Sequence, residues 1–342
     1  MADKIRVGLI RCDMHGAYFG ALMAAHDPLK LERPGDLQRQ KHYSWQSGGA
    51  HFYFYTHYAA PQQMTVEFVE GFELIKVWDE HRDAAENLAE VWEGELQVCD
   101  HFEQVSDGVD LVFIADCNGD GSDHLELATP GLEKGVPTFV DKPLAYDTAG
   151  ARAIIALAQK HQAPLASISI LRALPAAARF VRRLDEVGGV EFGSIQGCGT
   201  QMAGHIHAAS LALHLFGDGV EEVRCMGETE LQTVHLSYGE RADRPRRGVA
   251  LNCDVGVPWH CAFYASAYGP GGVAHSPSLS DFDFPFGAAE ILKTVREMIK
   301  TGQSPALNRD MFAAVAITEA ARLAQHQGRA VRIEEMGENP WL

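Results

Sequence analysis

The chain has 342 residues, 46% of them hydrophobic and 22% charged, a composition suited to a globular protein with more than one core. A formal charge of −17 argues against a nucleic-acid partner, because phosphate binding needs a basic face. No apolar run reaches the roughly 18 residues that span a bilayer, and Lys4-Ile-Arg-Val-Gly-Leu-Ile10 reads as a first strand, not a signal peptide. Seven scattered cysteines (12, 99, 117, 198, 225, 253, 261) without a Cys-x-x-Cys fit reduced thiols in a cytoplasm better than a disulfide framework or a zinc cage.

Ile5 to Ile10 is a buried strand by its composition, with a helix expected from about His15 to Ala25. The joint reads Arg11-Cys12-Asp13-Met14-His15-Gly16, at the place where a dinucleotide fold carries Gly-x-Gly-x-x-Gly. Only the third glycine, Gly16, is kept. Asp13 falls where the backbone would approach a pyrophosphate, and its carboxylate would repel one; Arg11 could offset part of that charge. Residues 28–70 are punctuated by Pro34-Gly35, Gly48-Gly49 and Pro61 and rich in aromatic and histidine side chains (His42, Tyr43, Trp45, His51, Phe52, Tyr53, Phe54, Tyr55, His57, Tyr58). That pattern suits an irregular lid or contact surface, or a small extra hairpin.

Phe72 to Trp78 is the second strand, closed by Asp79, which is placed either to bond ribose hydroxyls or to cap the next helix. The third, 109–115, runs into Asp116-Cys117-Asn118, with His124 opening the following helix. A short β-branched run, 136–140, is stopped by Asp141-Lys142-Pro143, because proline cannot donate into a ladder. Lys142 therefore stands past a strand's carboxyl end, where open α/β sheets face their ligand. A helix capped by Asp147 or Thr148 and a last strand at 165–170 complete an alternation that indicates a doubly wound parallel sheet.

Beyond Pro175 the pattern becomes a helix at 175–187, successive short strands near 193–196, 220–225, 233–237, 247–253 and 260–267, two late helices near 286–301 and 309–326, and a closing strand near 329–333. Strands in succession imply an antiparallel sheet in an α+β domain. Gly204-His-Ile-His207 precedes a helix at 208–215. Two histidines at i and i+2 do not share a helix face; a metal pair would need a third ligand that the spacing does not supply, so no metal is expected.

These pieces, in this order, resemble the glucose–fructose oxidoreductase / inositol dehydrogenase / MocA (Gfo/Idh/MocA) family over nearly the whole chain outside 28–70. Asp141-Lys142-Pro143 resembles the family's Glu-Lys-Pro. Ile114-Ala115-Asp116-Cys117-Asn118 is similar to its Ile-Ala-Thr-Pro-Asn, and His124 to the histidine that opens the next helix. Leu171-Arg172 before Pro175 keeps one of two usual arginines, residues 207–217 look like the catalytic-histidine helix, and 311–331 are similar to the closing helix and strand.

The resemblance implies a Rossmann domain over 1–172 and an α+β substrate and oligomerisation domain over 173–342, with an open, mainly antiparallel sheet as the face of a homodimer or homotetramer. It implies NAD in preference to NADP, since Asp79 would meet a 2′-phosphate with like charge, softened by Arg82. The cofactor-contacting positions it implies are Arg11, Cys12, Asp13, Gly16, Asp79, Asp116, Asn118, His124, Asp141, Lys142 and Arg172. The reaction implied is oxidation or reduction of a carbinol carbon of a sugar, polyol or related ring, with His207 as base and Lys142 stabilising the alkoxide. The family's aspartates four residues before and three after the histidine are Ala203 and Ser210 here, so His205 or Asp13 would have to orient His207. Two other outcomes stay open: transient oxidation in the service of elimination or epimerisation, and a non-catalytic ligand-binding or partner subunit.

Overall fold

A computed structural model describes residues 4–32, 44–57, 59–92, 94–117, 119–197, 202–253 and 261–341. The first half alternates strand and helix: β1 (Ile5–Ile10), α1 (Met14–Met23), α2 (Pro28–Glu32), α3 (Ser44–Phe54), β2 (Phe72–Trp78), α4 (Arg82–Val91), β3 (Gln97–Val98), β4 (Leu111–Ile114), α5 (His124–Glu133), β5 (Thr138–Val140), α6 (Thr148–His161) and β6 (Leu165–Ala166). The strands pair in the order β3-β2-β1-β4-β5-β6, all parallel. Every residue of β4 and β5 is buried, as expected where helices cover both faces of a sheet and alternation is unnecessary.

Register places the site. Ile10 lies opposite both Trp78 and Ile114, and Ile114 opposite Val140. Four strands therefore end level, and the residues after them (Arg11, Asp79, Ala115-Asp116 and Asp141) emerge together along one edge. The strand order reverses between β1 and β4, which is the switch point where such sheets open a crevice.

Two short helices, α7 (Ile170–Ala173) and α8 (Pro175–Arg183), lead into the second sheet. It is built from β7 (Phe192–Gln196), β8 (Glu222–Met226), β9 (Thr233–Ser237), β10 (Val249–Asn252), β11 (Ala262–Gly269), β12 (Gly272–His275), β13 (Leu279–Ser280) and β14 (Val331–Arg332), with α9 (Met202–Phe216) after β7, and α10 (Phe284–Thr301) and α11 (Asn308–Gln327) before β14. The order is β12-β11-β7-β10-β9-β8-β14 with β13 on β11, and only β7 and β10 run parallel. α11 packs on α9 and α6, whereas α10 turns back onto α7 and α1. No helix among the described residues is long and apolar enough to cross a membrane.

The structure corrects the sequence reading at three places. Within 28–70 the described residues form two helices, α2 and α3, and then run irregularly through 55–57 and 59–70, with no hairpin among them; Gly49 lies inside α3, where a Cβ would meet the Met14 Cε at 2.3 Å, so this glycine marks a close helix contact, not a turn. The strand expected at 165–170 keeps only its first two residues before α7 begins. The helix expected at 208–215 starts at Met202 and so includes both His205 and His207. His42, Tyr43 and Tyr58 lie outside the described residues.

Candidate functional site

The Arg11–Gly16 turn is held by side chains where glycines would leave space. Arg11 takes a φ of 77°, the left-handed conformation that glycine adopts without strain. Its guanidinium pairs with Glu80 at 2.8 Å and with Asp123, joining the end of β2 to the start of α5. Asp79 is 3% exposed; its Oδ2 accepts from the Cys12 N–H at 2.8 Å and its Oδ1 from the His81 N–H at 2.9 Å. Asp13 caps α1: Oδ1 accepts from the N–H groups of His15 (2.9 Å) and Gly16 (3.2 Å), and Oδ2 from that of Cys117 (2.6 Å). Burial pushes the Asp13 carboxyl up to about 6, aided by the Asp116 charge and opposed by His15. At Gly16 a Cβ would stand 2.4 Å from the Arg11 carbonyl oxygen, so the turn closes only on glycine.

Past β4 and β5 the charges are paired. His15 Nδ1 lies 2.5 Å from Asp141 Oδ2. Burial disfavours the charged ring, but Asp141 outweighs it and holds His15 well above its ordinary value. Asp141 also accepts from the N–H groups of Asp116 (3.1 Å) and Lys142 (2.7 Å). His124 Nε2 meets Asp116 Oδ2 at 3.1 Å while its Nδ1–H donates to the Pro143 carbonyl at 2.8 Å. Against burial, this bond and the His124 charge bring Asp116 down to about 2, and Asp116 in turn raises His124. Lys142 is 1% exposed as a residue, and its ammonium donates to the Cys117 carbonyl at 2.6 Å.

His207 reaches the same space from α9. Its Nδ1 is 2.7 Å from Ser169 Oγ, and its ring stands 6.1 Å from that of Phe263 and 6.2 Å from that of Phe284. Burial, then the positive charges of Lys142 and His15, hold the imidazole well below its ordinary value and therefore neutral. His205 points elsewhere, its Nδ1 to Thr318 Oγ1 on α11 at 3.0 Å, as residues two apart on a helix must diverge. Neither His205 nor Asp13 orients His207; Ser169 does. No spacing rule links two residues 38 positions apart, which is why the sequence did not point to it.

The structure brings Arg11, Cys12, Asp13, Gly16, Asp79, Asp116, His124, Asp141, Lys142 and His207 to one edge of the first sheet. Arg172 stands apart from these residues, its guanidinium paired with Asp310 and joining α7 to α11. Asn118 lies outside the described residues. Asp116, Asp123 and His124 offer ligand atoms within 4.8 Å of one another, but Arg11 and the raised His124 already supply positive charge there. Above the crevice, Tyr53 of α3 and Tyr18 of α1 both donate to Asp281, at 3.1 Å each. A cavity of about 950 Å³ lined by Ile5, Phe72, Trp92 and Arg296 lies at the opposite, amino-terminal edge of the sheet, away from this chemistry.

Residues 49–168 match the model of the GFO_IDH_MocA family, described as an oxidoreductase family with an NAD-binding Rossmann fold. In fold the chain is similar to GenD2 from gentamicin A biosynthesis, solved in complex with NAD (TM-score 0.70, 16% identity, 97% of each chain covered). It is also similar to an oxidoreductase from Agrobacterium radiobacter solved with NAD⁺, L-tartaric acid and magnesium (0.66, 14%, covering 97% of this chain and 99% of that one). A myo-inositol dehydrogenase from Corynebacterium glutamicum matches likewise (0.66, 16%, 96% and 98%). No curated protein matches the chain in sequence. The chain thus carries a segment that matches the Gfo/Idh/MocA Rossmann model, inside a fold shared along nearly the whole chain with these solved structures.

Proposed function

We propose that the protein is a nicotinamide-dependent dehydrogenase of a carbinol carbon in a sugar, polyol or related ring, with His207 as general base and Lys142 as alkoxide stabiliser. The observation that carries this reading is that His207 and Lys142 are both buried, with the lysine near enough for its charge to act on the neutral imidazole. In the tautomer that donates Nδ1–H to Ser169 Oγ, His207 offers Nε2 as the acceptor for a hydroxyl proton. Lys142, anchored by the Cys117 carbonyl, supplies positive charge where the hydroxyl oxygen turns anionic. The aromatic rings of Phe263 and Phe284 keep water from His207.

The cofactor, when bound, accepts or returns the hydride. The backbone of the first turn suits it: the left-handed Arg11 and the close-packed Gly16 shape the start of α1 as a dinucleotide fold requires. Asp79 secures that turn instead of standing open to a ribose, and the more exposed carboxylate beside it is Glu80. Both acids favour NAD over NADP, because a 2′-phosphate would meet like charge, and Arg82 is engaged by Glu86 and Asp100. The exposed Tyr264, Tyr268 and Val273 give the second sheet an apolar face suited to a homodimer.

The purified protein incubated with NAD⁺ or NADP⁺ and a panel of cyclitols and aldoses should reduce NAD⁺ in the presence of at least one of them, read by nicotinamide absorbance. The reading fails if no member of the panel supports reduction and neither dinucleotide binds.

A further inference from the structure

Resting on that reading, we propose that Asp13 is a built-in occupant of the cofactor's pyrophosphate position, so that a dinucleotide binds this chain only by displacing its carboxylate. α1 has ten residues and begins directly after β1, and in this fold the start of that helix receives the pyrophosphate. Here three backbone N–H groups, from His15 and Gly16 on α1 and from Cys117 after β4, converge on the two oxygens of Asp13. A phosphate at that place would be bound by the same donors. The carboxylate is buried, so it fills the position rather than bordering it.

The groups around Asp13 do not relieve the conflict with a second anion. Arg11, the nearest permanent cation in sequence, has its guanidinium on Glu80 and Asp123. His15 is raised toward its charged form but is paired with Asp141, and Lys142 donates to the Cys117 carbonyl. Asp79 and Asp116 add negative charge from the ends of β2 and β4. An incoming pyrophosphate would therefore bring its charges into a ring of carboxylates unless Asp13 leaves its three donors or takes up a proton.

The test is a calorimetric titration of ADP-ribose and of NAD⁺, at pH 7.5, into the wild type, Asp13→Gly and Asp13→Ser. Serine keeps a helix cap without the charge, and glycine opens the space fully. Both variants should bind both ligands about tenfold or more tightly than the wild type, because the competitor has been removed. Unchanged or weaker binding by a variant that still unfolds cooperatively overturns the proposal. Should neither variant fold, the wild type decides: its affinity for ADP-ribose should rise at least tenfold from pH 7.5 to pH 5.5, and a flat profile overturns the proposal. Tighter binding by the variants without reduction of NAD⁺ by any polyol leaves this inference standing and removes the dehydrogenase reading. Absence of binding by all three proteins removes both.

Discussion

At the Lys142–His207 end of the crevice a neutral imidazole and a buried lysine are each held through one atom, the ammonium by the Cys117 carbonyl and the ring by Ser169. At the Arg11–Asp13 end the same sheet edge is closed on itself, with one carboxylate filling the helix start and the arginine paired across it. The two ends use the same elements, strand termini and helix openings, and differ in a few side chains. The start of a helix will satisfy its free N–H groups with whichever anion is nearest. A ligand cradle and a self-cap are thus alternative outcomes of one geometry.

The sharpest way to break the contrast is at the Lys142–His207 end, where the proposed chemistry would take place. His207→Ala should lower turnover by roughly 10²–10⁴, the usual range for loss of a general base, and Lys142→Met should act similarly because it removes the charge and retains most of the bulk. Steady-state kinetics with whichever polyol reduces NAD⁺ would measure both. Turnover within a fewfold of wild type in either variant would empty this end of its chemistry.

At the other end, pH is the probe. Asp13 is raised from 3.8 to about 6, so between these values the folded protein binds more protons than the unfolded chain. Stability attributable to this group therefore falls as pH rises through that window, by up to ~3 kcal/mol, and levels off above it. Asp13→Ser lacks the group. The wild-type-minus-variant difference in denaturant-derived stability should decline from pH 4 to pH 6, whereas a constant difference would mean that the carboxylate is not strained by burial.

Gly16→Ala tests the backbone that both readings share. Its Cβ meets the Arg11 carbonyl at 2.4 Å, and such overpacking costs about 1–3 kcal/mol, measurable as a lowered Tm. The smallest effect belongs to Ser169. Ser169→Ala removes one neutral hydrogen bond, worth about 0.5–1.5 kcal/mol, and should lower kcat about three- to tenfold with KM little changed, with recovery in Ser169→Thr. Failure of threonine to restore kcat would point to lost packing instead of lost ring orientation.

The first sheet was legible because its strands are short apolar runs bounded by turn residues: β1 and β2 fall where composition placed them, and Asp147 caps α6 as expected. The conflict at Asp13 was also visible, since its position in the turn alone sets a carboxylate against a phosphate. The bond that helps to hold Asp13 there was not visible, because the Cys117 N–H is 104 residues away and only the level ends of β1 and β4 bring it near. Helix α3 was hidden by Gly49, which reads locally as a breaker but serves as a contact surface against Met14. The pairing of Arg172 was hidden for a related reason: its partner, Asp310, lies on a helix near the other end of the chain.

That distant pairing also bears on how the molecule comes to be folded. α10 and α11 are among the last elements synthesised, yet α10 covers α1 and α7, and α11 covers α6. The Thr148 N–H donates to Glu319 and Arg152 donates to the Met336 carbonyl, so the start of α6 is tied down by the closing stretch as well. A chain emerging from the ribosome can pair its parallel strands early, but it leaves apolar faces of α1 and α6 uncovered until residues 284–327 appear. Contacts of such long sequence separation slow folding. Shortening the chain before α10 should therefore yield not a free-standing nucleotide-fold half but a sticky, chaperone-dependent intermediate.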